Sequence, residues 1–276
     1  VNRVQSEEEI TRVITEARAS GFRSVNLDLI YGLPKQTLDG FDATLAKLVH
    51  LQPDRVALYG YAHLPATFKP QRRILPADLP NADTRVQLLL LAINRLTRAG
   101  YVYIGMDHFA KATDDLAIAQ SQGRLQRNFQ GYSTSPESDL LGFGASAIGR
   151  VGPTYYQNQK TLDAYYEAVE AGTSPVFRGI ELSKDDLLRR AVIQGLTCDF
   201  RVSIESLELK YLVDFRGYFR EELTELESMA VDGLIEIQPE WIQVTPRGRL
   251  IVRAICMVFD RYLRHRRERS SFSKVI

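Results

Sequence analysis

The run Leu27-Asp28-Leu29-Ile30-Tyr31-Gly32-Leu33-Pro34-Lys35-Gln36-Thr37 decides the fold. An apolar strand carries one carboxylate and then breaks at a glycine and a proline. Strands favour β-branched and aromatic residues and are depleted in aspartate and glycine, so Asp28 needs a reason to be there. In α/β barrels the ligand groups sit at the carboxyl ends of parallel strands. Asp28 therefore reads as a residue aimed into a site, at a donor such as a ribose diol. It reads equally as a cap of the following loop, because aspartate oxygens accept from nearby backbone N–H groups.

Helix and strand alternate on both sides of this run. Ser6 to Ser20 predicts a helix, with Ser6 as N-cap, Glu7, Glu8 and Glu9 in the positive first turn, and Ile10, Val13, Ile14 and Ala17 as an apolar stripe. Strands are expected at Val25 to Ile30, Arg55 to Tyr61 and Tyr101 to Met106. Helices are expected at Asp39 to Leu51 and Asp83 to Ala99, the latter closed by Gly100. Strand, helix, strand at this spacing is the βαβ unit of a parallel sheet, and the repeated alternation favours a barrel or doubly wound sheet. After Asp107-His108-Phe109 the pattern loosens. A short helix is expected at Asp114 to Gln122 and a polar-aromatic segment at Asn128 to Thr134. Between Leu140 and Ile148, Gly142, Gly144, Ala145 and Ala147 permit close backbone approach. A helix over Leu162 to Ala171 ends at Gly172.

From Ser183 the composition changes. Helices at Asp185 to Gly195, Ile204 to Tyr211 and Phe215 to Met229 precede strands at Leu234 to Ile237 and Trp241 to Val244, and a last helix spans Arg247 to Arg264. This order is winged-helix-like, and the expected domains are 1–180 and 181–276. A DNA-binding role is disfavoured because Glu221, Glu222, Glu225 and Glu227 put acid on the helix before the wing. The basic tail of Arg264, Arg266, Arg267, Arg269 and Lys274 reads as a solvated charge run.

At 276 residues, 45% apolar and 25% charged, the chain has an ordinary globular composition. A net charge of +1 gives no attraction for nucleic acid or an anionic membrane. No stretch reaches the roughly 20 apolar residues of a membrane span. Cys198 and Cys256 fall in apolar helical patterns and read as core thiols of a cytoplasmic protein. Val1 lies directly before a helix, so the sequence reads as starting mid-protein. His63 and His108 each follow an expected strand. With Asp28 and Asp107 they form no known metal spacing and read as polar site-lining groups, so no metal ligand is assigned. Neither phosphate-binding glycine motif, nor a nucleophile elbow, follows a strand.

Five runs together carry a resemblance: Asn26 to Pro34, Tyr61-Ala62-His63-Leu64-Pro65, Ile104 to Ala110, Asn128-Phe129-Gln130-Gly131-Tyr132, and the terminal Phe272-Ser273-Lys274-Val275-Ile276. In this order they are similar to the oxygen-independent coproporphyrinogen III oxidase (coproporphyrinogen dehydrogenase) family, radical S-adenosylmethionine enzymes of haem biosynthesis. The resemblance covers essentially the whole chain. It implies an α/β fold: the carboxy-terminal part of a partial (β/α) TIM-like barrel, followed by the mainly helical winged-helix-like domain. The family's C-x-x-x-C-x-x-C loop for a [4Fe–4S] cluster is absent from these residues. The chain thus resembles the carboxy-terminal three-fifths of the enzyme, without activity of its own.

By the same resemblance, Arg3 pairs with the methionyl carboxylate of one S-adenosylmethionine, Asp28 holds its ribose hydroxyls, and Ile30 packs nearby. Ala62, Phe129, Gln130 and Ile148 line a second S-adenosylmethionine. The implied reaction starts with reductive cleavage of S-adenosylmethionine to a 5′-deoxyadenosyl radical. Hydrogen abstraction from two propionates of coproporphyrinogen III and loss of carbon dioxide then give protoporphyrinogen IX. The implied partners are that substrate and a reducing electron donor, with no nucleic acid and a full-length monomer. Two rivals remain: a haem-binding chaperone of the same superfamily, and a non-enzymatic winged-helix regulatory module.

Overall fold

The strand that carries Asp28 runs Asn26–Tyr31 (β1), and its side chains alternate between two environments. Leu27, Leu29 and Tyr31 point into the core, whereas Asn26, Asp28 and Ile30 lie on an open face. A computed structural model describes residues 4–135 and 138–264. They form two compact units, one within 4–122 and one from Gly123 to Arg264.

In the first unit, helix α1 (Glu7–Ala19) begins with a capping box between Ser6 and Glu9. β1, helix α2 (Leu38–Leu51) and strand β2 (Arg55–Gly60) make the expected βαβ unit, with β1 parallel to β2. Helix α3 (Ala82–Arg98), capped by Asn81, leads to strand β3 (Tyr101–Gly105). Here the structure departs from the expected pattern. The chain turns at Met106-Asp107 into strand β4 (His108–Lys111), which is antiparallel to both β2 and β3, giving the order β1-β2-β4-β3. A tight turn joins neighbouring strands only in antiparallel fashion, so β4 takes the place beside β2 expected for a third parallel strand. His108 accordingly opens a strand and pairs with Ala57, instead of following a strand into a loop. Helix α4 (Asp115–Ser121) closes the unit, its N-cap Asp114 buried and paired with Arg55 at 2.9 Å.

Phe41, Leu45 and Leu48 of α2 and Leu88, Leu89, Ala92 and Leu96 of α3 pack on one face of this sheet against Val56, Leu58 and Phe109. Each of the buried leucine, valine and phenylalanine side chains stabilises by about 1.5–3 kcal/mol. The buried apolar groups of α2 and α3 go to that face, while Leu38 and Leu90 stay exposed. The opposite face is left to Asp28, Ile30, Ala57, Tyr59 and His108, which register places together.

The second unit begins with a hairpin of β5 (Gln126–Asn128) and β6 (Gly131–Ser133), in the segment read from sequence as polar-aromatic. A second sheet, unanticipated, joins β7 (Ile148–Val151), β8 (Thr154–Asn158) and β9 (Val176–Glu181), with helix α5 (Leu162–Glu170) between the last two. The third layer runs α6 (Lys184–Cys198), β10 (Arg201–Ser203), α7 (Ile204–Tyr211), α8 (Phe215–Tyr218), α9 (Arg220–Val231), β11 (Ile235–Ile237) and β12 (Trp241–Val244). Its sheet order is β10-β12-β11. The helix expected at Phe215 to Met229 is two helices, broken where Phe219 turns inward onto Phe215 and Phe259, 4.8 and 5.3 Å away between ring centroids. The last expected helix is a 3₁₀ turn (Gly248–Ile251), α10 (Val252–Met257) and α11 (Arg261–Arg264).

Glu222 does not belong to the expected acidic outer face. It is 3% exposed and its Oε1 accepts from Arg189 Nη1 at 2.8 Å. Arg189 also bonds Asp185 at 2.8 Å, and Asp185 takes Arg261 at 2.6 Å and the Tyr218 hydroxyl at 2.7 Å. This network ties α6 to α8, α9 and α11. Arg266, Arg267, Arg269 and Lys274 lie outside the described residues, as does the Phe272 to Ile276 run.

Candidate functional site

Asp28 is the third of six residues in β1, so it stands mid-strand on the open face and not at the strand's end. It does not cap the following loop. Its Oδ1 accepts from the Asn26 side-chain amide at 2.7 Å, a partner two residues away on the same face. Ile30 and Tyr59, both 40% exposed, stand beside it on the same face in register, and the Tyr59 ring meets His108 edge-on at 6.3 Å. His108 Nδ1 lies 3.3 Å from Asp107 Oδ1. Among the described residues no group of three or more His, Cys, Asp or Glu is placed to hold a metal.

The loops at the carboxyl ends of β1 and β2 are held by glutamine side chains. Gln36 Oε1 accepts from Gly32 N–H at 2.6 Å, while its Nε2 donates to Ile30 C=O at 3.3 Å. Gly32 sits at φ +80°, where a side chain would be strained, and an added Cβ would meet Arg85 Nε at 3.3 Å. Gln71 treats the next loop the same way: Oε1 accepts from Leu64 N–H at 2.5 Å and Nε2 donates to Ala62 C=O at 3.0 Å. Ala62 is exposed in that loop. His63 and Tyr61 stack obliquely beside it, 6.2 Å between ring centroids.

In the second unit, Phe129 and Gln130 form the two-residue tip of the β5–β6 hairpin, with Gln130 N–H bonded to Asn128 Oδ1 at 2.9 Å. Phe129 is 67% exposed, which is unusual for so large an apolar ring. The hairpin is fixed by a third glutamine. Gln194 Oε1 of α6 accepts from Arg127 N–H at 3.1 Å, and its Nε2 donates to Arg127 C=O. Tyr132 hydroxyl adds a bond to Thr197 C=O at 3.2 Å. Ile148 opens β7. The small residues before it serve the chain's own approach: a Cβ on Gly142 would lie 2.8 Å from Ile148 C=O. Buried Asn158 holds this loop by donating to Gly142 and Gly144 C=O, each at 3.0 Å.

Phe129, Gln130 and Ile148 border one cavity of about 410 Å³, which Arg127, Leu140 and Arg150 also line. That volume suits a small molecule. The cavity lies wholly within the second unit. Arg3 lies outside the described residues, and Asp28, Ile30 and Ala62 belong to the first unit. The glutamine clamps and the two arginines escaped the reading of the sequence. The only available signal was a glutamine a few residues after each loop break, at Gln36 and Gln71.

Cys198 and Cys256 are free and buried. Burial pushes their thiols up to about 12 and about 11, respectively. They bond weakly to Gln194 and Thr197, 3.4 Å in each case, as core groups.

A model of the HemN C-terminal domain family matches residues 182–251. Oxygen-independent coproporphyrinogen III oxidases of Salmonella typhimurium and Escherichia coli are 49% and 48% identical over the whole chain, which covers 60% of each. That of Thermostichus vulcanus is 47% identical, with 85% of it covered. The solved structure of coproporphyrinogen III oxidase (HemN) from Escherichia coli, a radical SAM enzyme, matches with a TM-score of 0.91 at 48% identity, covering 95% of this chain and 60% of that one. The chain therefore spans about three-fifths of the length of most of these relatives. Its sequence and its fold place it in the oxygen-independent coproporphyrinogen III oxidase family.

Proposed function

We propose that these residues form the cofactor- and substrate-binding part of an enzyme that oxidatively decarboxylates two propionates of coproporphyrinogen III to vinyl groups, giving protoporphyrinogen IX. One observation carries the reading. Phe129 and Gln130 at the hairpin tip and Ile148 at the start of β7, far apart in sequence, meet at one cavity.

The chain's donors and acceptors fit S-adenosylmethionine and do not fit an iron–sulfur cluster. A cluster takes thiolates, whereas both thiols here are buried and held protonated. Its ligands, on this reading, come from outside these residues, and this stretch alone is inactive. S-adenosylmethionine, when bound beside a reduced cluster, supplies the hydrogen abstraction that starts decarboxylation. An electron donor to that cluster is a further partner.

This chain's part is binding and orientation. Asp28 has one oxygen engaged by Asn26 on an exposed face, and its second oxygen serves the ribose hydroxyls of the first S-adenosylmethionine. Ile30 gives that molecule an apolar wall, and Arg3 pairs with its carboxylate through a planar fork. At the second molecule Ile148 meets the adenine, and Phe129 and Gln130 line the same cavity. The order α6-β10-α7-α8-α9-β11-β12 supports a winged-helix-like domain after a partial barrel, and its buried Glu222–Arg189 network suits a structural role.

The test is anaerobic turnover by the full-length protein with a reconstituted cluster, S-adenosylmethionine and a reductant. Two carbon dioxide molecules and one protoporphyrinogen IX per coproporphyrinogen III are expected. Tight haem binding without decarboxylation would establish the chaperone reading instead.

A further inference from the structure

Two arginines on the cavity wall have no role in the reading above. Arg127 immediately precedes the hairpin tip. Its Nε is shielded from solvent and, among the described residues, has no hydrogen-bond partner. A buried guanidinium N–H without an acceptor is rare in folded proteins and asks for an anion or a trapped water. The side chain is also held in place: its backbone is clamped by Gln194 and its guanidinium lies 5.4 Å from the Tyr132 ring centroid. Arg150 stands two residues beyond Ile148 in β7, hence on the same face. Its Nη2 donates to Ser138 C=O at 2.5 Å, which orients the fork. Both arginines line the cavity that Phe129 and Ile148 border. Among the described residues one carboxylate, Asp139, also borders it, and its Oδ1 is engaged by Gly152 N–H at 2.8 Å.

We propose that Arg127 and Arg150 make this cavity a carboxylate receptor, Arg127 Nε supplying the buried donor and Arg150 the second charge. The proposal rests on the functional reading above and deepens it by naming what the cavity selects. Two ligands of that reaction carry the group: the methionyl end of S-adenosylmethionine and the propionates of the porphyrinogen. A guanidinium fork serves either, since both present a planar pair of oxygens.

The experiment measures equilibrium binding to the full-length, cluster-reconstituted protein for two matched pairs. One pair is S-adenosylmethionine and its decarboxylated form. The other is coproporphyrin III, the stable oxidised porphyrin, and its tetra-amide. Wild-type protein is expected to prefer the carboxylate member of one pair. Arg127→Gln is expected to weaken that member by about 10- to 100-fold, the range for a charge-assisted hydrogen bond, and to leave its partner unchanged. The pair in which the preference disappears identifies the source. Arg127→Lys is expected to retain part of the preference, and Arg150→Gln to reduce it, so the proposal stays testable if Arg127→Gln fails to fold. Equal loss of both members would make Arg127 a structural prop and overturn the proposal, as would an intact preference in both glutamine variants. Wild-type protein that binds neither S-adenosylmethionine nor coproporphyrin III would overturn the functional reading and the proposal with it. Wild-type binding with untouched selectivity overturns the proposal alone.

Discussion

Replacing Gln194 with leucine should release the hairpin that carries Phe129 and Gln130. Leucine keeps most of the volume on α6 but removes the acceptor for Arg127 N–H and the donor to Arg127 C=O. If water took over both groups fully, the loss would be two ordinary hydrogen bonds, about 1–3 kcal/mol together. If neither were rehydrated, the two stranded groups would cost about 2–6 kcal/mol. Arg127 is partly buried, so a value near 2–4 kcal/mol follows. β5 and β6 have three residues each, and a two-stranded hairpin is marginal by itself. The effect should therefore be local opening and not global unfolding. Hydrogen exchange at the Arg127 amide reads it directly: 2–4 kcal/mol is about 30- to 1000-fold faster exchange. Gln194→Glu should give roughly half the effect in energy, because its carboxylate still accepts from the N–H but faces the C=O with another acceptor. Wild-type protection of Arg127 in Gln194→Leu would refute the clamp.

Removing Arg189 as Arg189→Met should destabilise the second unit by about 3–5 kcal/mol, because buried Glu222 loses its counter-charge. Urea denaturation of Arg189→Met against the double variant with Glu222→Gln checks this, the second change restoring part of the loss. Acid should destabilise the fold through Asp54 and Asp185. Burial alone would raise both carboxyls, but the Val25 N–H and Lys111 at Asp54, and Tyr218, Arg261 and Arg189 at Asp185, hold them below the usual 3.8. Folded-state values that lie below the unfolded ones give stability that is present above about pH 4 and lost as pH falls further. Denaturant midpoints measured from pH 6 to pH 2 should show that decline and no comparable change between pH 5 and 7. Native protein should leave both thiols unreactive toward a disulfide reagent at pH 8, with two equivalents reacting after denaturation.

The βαβ start of the chain is legible because α2 and α3 have clear apolar stripes and β1 alternates cleanly around Asp28. β4 was not, because His108–Lys111 is four residues long and follows a turn at Met106, a non-glycine residue at φ +51°. β9 gave no signal either. All six of its residues are exposed, so no alternation of apolar and polar residues marks it. The candidate site was reached through the resemblance and not through periodicity. Residues such as Phe129 and Ile148 meet only because side chains elsewhere, Gln194 and Asn158, hold two loops in place, and no local pattern records such long-range bonds. One member of the acidic helix face, Glu222, was misread for a similar reason: its partner lies 33 residues away in α6.

The most direct measurement is turnover of coproporphyrinogen III by the full-length, cluster-replete protein carrying Asp28→Ala. Asp28 is exposed and, among the described residues, its side chain bonds Asn26 in its own strand, so stability should stay within about 0.5 kcal/mol of wild type. Loss of an ionised acceptor for a bound diol is worth about 1.5–3 kcal/mol, and misplacement of the reacting carbon adds to it. Turnover should fall at least about tenfold with cluster content and melting unchanged. Near-wild-type turnover in that variant would contradict the assignment of the open face of β1 to the cofactor.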